Sequence, residues 1–89
     1  MLDVEISKQF DRDLKKAKKR GANLDELWSI VAILARCDPL PARHRTHRLS
    51  GKWKRAWECH IRPDWLLVWH EIDDRLILVR TGTHSDLFG

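Results

Sequence analysis

His60-Ile61-Arg62-Pro63-Asp64-Trp65-Leu66-Leu67-Val68-Trp69 is the stretch on which the fold turns. Pro63 and Asp64 form a turn, because proline fixes φ and an aspartate side chain bonds back to its own backbone. After it, Trp65, Leu66, Leu67, Val68 and Trp69 run apolar without a break. Such a run, rich in aromatic and branched side chains, reads as a strand covered on both faces. Before the turn the chain alternates. Trp53, Arg55, Trp57, Cys59 and Ile61 fall on one face, and Lys54, Ala56, Glu58, His60 and Arg62 on the other. On this reading Trp53 and Trp57 share a core-facing side. A second turn at Asp73-Asp74 leads into Leu76, Ile77, Leu78 and Val79, then Arg80 to His84. Strands joined by turns this short are antiparallel neighbours.

Working outward, Leu2, Val4 and Ile6 alternate with Asp3 and Glu5, the period of a half-buried strand. Ser7 offers a helix N-cap, and Phe10, Leu14 and Ala17 then lie on one helical stripe. Lys18, Lys19 and Arg20 suit the negative end of that helix, and Gly21 stops it. Asn23 with Glu26 resembles a capping box before a second stripe of Leu24, Leu27, Trp28, Val31, Leu34 and Ala35. Asp38, Pro39 and Pro41 end the second helix, and Pro41 to Gly51 reads as a basic loop. The expected fold is α+β in the order β-α-α-β-β-β. An N-terminal strand and helical hairpin pack on one face of an antiparallel β-sheet. Residues 1–89 are expected to form a single domain.

Charge narrows the function. The chain carries 17 Lys+Arg against 13 Asp+Glu. The excess is uneven: Arg43, Arg45, Arg48, Lys52, Lys54 and Arg55 stand together with His44 and His47 and no carboxylate. That cluster favours a polyanion such as RNA, or an acidic protein. The basic run from Lys8 to Arg20 reads equally as a solvated helix face. Cys37 and Cys59 make no CxxC site, so a reduced, cytoplasmic protein is expected. MLDVEISKQF lacks the apolar segment of a signal peptide, and no apolar run reaches membrane-spanning length.

His47, His60, Asp64, Arg80, His84 and Ser85 are the polar residues that the fold could gather. Cutting RNA without a metal needs a base for the ribose 2′-OH, an acid for the leaving 5′-oxygen, and positive charge at the phosphate. Histidine serves both proton roles near neutrality. His44 and His47 have no second ligand pair at zinc spacing, so no metal and no cofactor is expected. His70 reads as structural and His44 as a loop residue. Phe88, an aromatic in a short polar tail, either stacks on a base or pins the tail to the sheet.

Three segments carry a resemblance. They are His47-Arg48-Leu49-Ser50-Gly51-Lys52-Trp53-Lys54, Cys59 through Leu67, and Arg80-Thr81-Gly82-Thr83-His84-Ser85-Asp86-Leu87-Phe88-Gly89. In order and spacing the chain resembles the YafQ-like toxins of the RelE/ParE toxin–antitoxin superfamily over nearly its whole length. The resemblance implies a RelE-like fold and a ribosome-dependent mRNA endonuclease. It implies as partners the 70S ribosome, mRNA and a cognate antitoxin that is DinJ- or RelB-like with an acidic segment. It places His47, His60, Asp64 and His84 in the active site, with Trp65 and Phe88 supporting the site or the RNA. Arg48, Lys52, Lys54 and Arg80 are expected to meet phosphate. His84 is expected to act as general acid, Asp64 and His60 to form the base side, and His47 with Arg80 to hold phosphate. Two rivals stand beside it: a ParE-like inhibitor of DNA gyrase, which shares the architecture but acts by binding, and a non-catalytic RNA- or protein-binding module that uses the same basic surface.

Overall fold

A computed structural model describes residues 1–89. Strands β1 (Asp3–Ile6), β2 (His47–Arg48), β3 (Trp57–Arg62), β4 (Trp65–Ile72) and β5 (Arg75–Gly82) form one sheet in the order β1-β5-β4-β3-β2. Helices α1 (Lys8–Lys19) and α2 (Leu24–Ala35) make the expected hairpin, and a short α3 (His84–Phe88) closes the chain. β3, β4 and β5 are antiparallel neighbours, as their tight turns require. β1 joins the other edge of β5 in parallel, because the helical hairpin and the meander intervene before the chain returns to it. The sheet is therefore mixed, with one parallel pair beside an antiparallel meander.

Alternation along β4 divides the core. Leu67 and Trp69 face the helices with Phe10, Leu27, Val31, Leu76 and Leu78, all buried. Leu66 and Val68 face the opposite way, against Ala56 and Leu87. Fully burying one large apolar side chain stabilises by about 2–3 kcal/mol, so the helix-side cluster dominates the fold. Ser7 caps α1 by accepting from the Phe10 amide at 2.9 Å and donates its hydroxyl to the Val79 carbonyl, which ties the helix start to β5.

Four local expectations change. β3 begins at Trp57, not Trp53, because Gly51–Trp53 coils into a 3-10 turn and Arg55 takes a positive φ of 73°. That break resets the alternation: Trp57 packs with the helix-side cluster, whereas Trp53 joins Leu66, Val68 and Leu87 on the opposite face. Within the basic loop, His47 and Arg48 pair with Glu58 and Trp57 as a short edge strand. Val4 and Ile6 are exposed, so β1 is not half-buried. Asn23 does cap α2 by accepting from the Asp25 amide, but Glu26 turns away to pair with Arg62 instead of closing a capping box.

Candidate active site on the sheet face away from the helical hairpin

β2 and β3 bring the first two histidines together. His47 lies opposite Glu58, and His60 follows Glu58 by two residues on the same face of β3. Their ring centroids are 6.5 Å apart. His84 arrives from the far end of the chain. β5 ends at Gly82, Thr83 caps α3, and His84 is the first helical residue. Its ring lies 5.6 Å from that of His60. The three imidazoles thus form a row across the end of the sheet, on the side away from the helical hairpin. Bulges after His60 and opposite Val68 and Trp69 sit beside this row, where extra twist re-aims the strand ends.

Hydrogen bonding distinguishes the three rings. His60 directs Nδ1 at the Pro63 carbonyl, 3.2 Å away. A carbonyl only accepts, so Nδ1 carries the hydrogen and Nε2 of the neutral ring keeps its lone pair. His84 donates Nδ1–H to Asp64 Oδ1 at 2.6 Å, and its backbone amide donates to the same oxygen at 3.0 Å. Those two bonds, the backbone one foremost, hold the Asp64 carboxyl below its ordinary range. His47 donates Nδ1–H to the Arg45 carbonyl at 2.8 Å, and its Nε2 lies 3.2 Å from Glu58 Oε1. Both nitrogens of His47 therefore face acceptor oxygens.

The structure brings His47, His60, Asp64 and His84 together as expected, but Asp64 serves His84 and not His60. Phe88 meets Trp53 edge to face with centroids 5.8 Å apart, yet stays 45% exposed, so it pins the tail and keeps a free face. Lys52 and Lys54 are exposed on the turn before β3. The Arg48 guanidinium lies 4.8 Å over the Trp57 ring. Trp65 packs toward the helix side and donates its indole N–H to Thr81 Oγ1 at 2.9 Å. Arg80 stands apart from the row. Its Nε and Nη2 bond the buried Asp13 carboxylate on α1 at 2.7 and 3.3 Å, so most of its guanidinium is already engaged.

Two residues that matter here were not singled out in the sequence. Glu58 has a side chain only 6% exposed, and its Oε2 has no hydrogen-bond partner. Its place beside His60 on the polar face of β3 was the available signal. Asp86 closes a capping box with Thr83 and accepts from Arg20 at 2.6 and 3.1 Å and from Lys16 at 3.0 Å. The Arg20 bonds lead the effects that drive its carboxyl far below the usual range. This latch clamps α3, and with it His84, against α1. No three His, Cys, Asp or Glu side chains are gathered closely enough to hold a metal ion.

A five-stranded sheet with a helical hairpin on one face and a histidine row on the other defines a small RelE-like toxin scaffold. The model of the bacterial toxin of type II toxin–antitoxin systems named YafQ matches residues 2–89, and the chain belongs to this family. The mRNA interferase toxin YafQ of Escherichia coli K12 is 40% identical over 98% of this chain and 96% of its own length. The toxin in the E. coli DinJ–YafQ toxin–antitoxin complex superposes with a TM-score of 0.90 at 39% identity, covering 99% of this chain and 98% of that one. A metal-bound toxin from Helicobacter pylori superposes at 0.93 with 44% identity, covering 99% of this chain and all of that one. No helix here is long and apolar enough to cross a membrane.

Proposed function

We propose that this chain is the mRNA-cleaving toxin of a type II pair, acting as a single domain on mRNA held by the ribosome, and blocked by a DinJ-like antitoxin. The observation that carries the reading is the row His47, His60 and His84 with Asp64 bonded to His84. The names of its relatives support the same activity. The chemistry needs no group from outside the chain. His60 Nε2 takes the proton from the ribose 2′-OH, and that oxygen attacks the adjacent phosphorus. The bond from phosphorus to the 5′-oxygen breaks, and the leaving oxygen takes a proton from His84 Nε2–H. The products are a 2′,3′-cyclic phosphate and a 5′-hydroxyl. His47, braced by Glu58, supplies positive charge to the crowded phosphate. His84 keeps the general-acid role expected of it. Asp64 moves to the acid side, because its carboxylate stabilises the imidazolium that donates.

Inducing the toxin in cells and mapping mRNA 5′ ends tests this reading. Cuts in register with codons, absent with His84→Ala, are expected. Intact mRNA with damaged DNA would instead mark a gyrase poison. Unchanged activity after loss of both His60 and His84 would mark a binding module.

A further inference from the structure

A second recess adjoins the histidine row on the β2 side. It has a volume of about 300 Å³ and is lined by Arg43, His44, Arg45, His60 and Arg62, with no carboxylate in its wall. Arg62 is already neutralised by Glu26 on α2. Arg43 and Arg45 are different. Arg20, Arg36, Arg62, Arg75 and Arg80 each hold a carboxylate, whereas Arg12, Arg43, Arg45, Arg48 and Arg55 make no ion pair and no side-chain hydrogen bond, and of these five only Arg43 and Arg45 line the recess. Two unpaired guanidiniums on the wall of one recess that holds no carboxylate make it attractive to an anion.

The walls of this recess are fixed. His44 is buried and donates Nδ1–H to the His60 carbonyl at 2.7 Å. Arg45 sits in the left-handed region with φ of 49°, a conformation that crowds any side chain. It is held there by its amide, which donates to the Ala42 carbonyl at 3.0 Å, and by its carbonyl, which accepts from His47. The loop bearing the two free arginines is therefore bolted to both His60 and His47. The backbone from which the two arginines spring is thereby anchored beside the reacting centre. A guanidinium fork matches phosphate oxygens, and His60 forms a wall of both recess and site.

We infer that Arg43 and Arg45 form a subsite for an RNA backbone phosphate, that of the mRNA nucleotide next to the one being cut. The choice of mRNA over ribosomal RNA rests on the nuclease reading and on the shared His60 wall. A fluorescent decamer with 2′-O-methyl groups throughout, which cannot be cleaved, is titrated with the toxin by anisotropy over a series of salt concentrations. Empty 70S ribosomes are titrated in parallel. Arg43→Gln/Arg45→Asn is compared with wild type; asparagine tolerates the left-handed backbone at position 45. Arg36→Gln/Arg75→Gln removes the same charge from the far end of the molecule. Circular dichroism and thermal melting check that each variant is folded, and Arg43→Gln alone stands in if the double variant is not.

The slope of log K against log salt on the decamer should fall by about 0.7 in Arg43→Gln/Arg45→Asn, the share of one phosphate contact on a single strand. That slope should be unchanged in the far-end variant, with ribosome binding near wild type in both. An equal slope in wild type and Arg43→Gln/Arg45→Asn overturns the inference, as does an equal loss in the far-end variant. A loss confined to empty ribosomes reassigns the phosphate to ribosomal RNA and overturns the mRNA subsite. The decamer is never cut, so failure of the nuclease reading would show separately, in the mapped 5′ ends.

Discussion

Replacing Asp64 by Asn keeps the size and a carbonyl-type oxygen for the His84 amide but removes the charge facing the ring. In the native site that oxygen receives both the His84 amide at 3.0 Å and Nδ1–H at 2.6 Å. The carboxylate fixes the ring so that the other nitrogen, Nε2, points at the leaving oxygen. A positioned general acid is worth about 10²- to 10⁴-fold in rate. Here the side chains of His84 and Asp64 are 53% and 66% exposed, so water screens their coupling. The expectation for Asp64→Asn is therefore the low end, roughly a 10²-fold fall in single-turnover cleavage of ribosome-bound mRNA. Thermal stability should scarcely change, since the pair is solvent-exposed. His84→Ala should fall further, and adding Asp64→Asn to it should make little additional difference. The sign with pH follows from the lowered carboxyl of Asp64. The folded protein favours its ionised form, so its contribution is complete at neutral pH and disappears only as acid carries the solution below the ordinary carboxylate range. If Asp64→Asn slowed the His84→Ala enzyme by the same factor as it slows wild type, the two residues would act independently and the acid-side assignment would be wrong.

A Cβ at Gly82 would lie 2.9 Å from Asp86 Oδ2 and 3.0 Å from Asp86 Cβ, so Gly82→Ala should displace α3 and lower cleavage while leaving most of the fold's cooperative melting intact. A normal cleavage rate with an unshifted His84 resonance would contradict that. Cys59 is buried and its thiol is pushed up to about 12, chiefly by desolvation, whereas Cys37 is exposed. Iodoacetamide near pH 8 should label Cys37 alone in the native protein, and mass spectrometry should find both labelled only after denaturation. Phe10 is fully buried in the helix-side core and meets Trp28 edge to face. Phe10→Ala should lose about 3–5 kcal/mol in urea unfolding, and a loss below about 1 kcal/mol would contradict its central place.

The strands and helices with the clearest periodicity were legible, and for a physical reason. The apolar run from Trp65 and the stripes of α1 and α2 are dictated by burial, which leaves a regular trace in the sequence. The error at Trp53 has an equally physical source. Alternation was extended backward through Arg55, whose left-handed backbone ends the strand, and nothing in the residue type of an arginine announces a positive φ. Tight turns showed which strands of the meander pair, but the parallel docking of β1 onto β5 depends on long-range packing that no local pattern reports. In the site, residue types announced the chemistry, and the three family-like segments named its members. The partnerships were hidden. That Asp64 bonds His84, that Asp13 claims Arg80, and that Glu58 lies beneath His47 all depend on register and on bulges near the strand ends. The short α3 carries a local capping box of Thr83 and Asp86, but at five residues it has no apolar stripe to announce it, and it is held by bonds from Lys16 and Arg20 of the first helical segment, more than sixty residues away.

The central claim is that the imidazole row drives attack by a ribose hydroxyl on its own phosphate. Once a cut site is mapped, an mRNA carrying one deoxyribose at the nucleotide 5′ to that bond is the direct test, in a translating system with purified toxin. That bond should stay whole, while the all-ribose message is cut there and ends in a 2′,3′-cyclic phosphate. Cleavage at the deoxyribose position at the normal rate would contradict the claim.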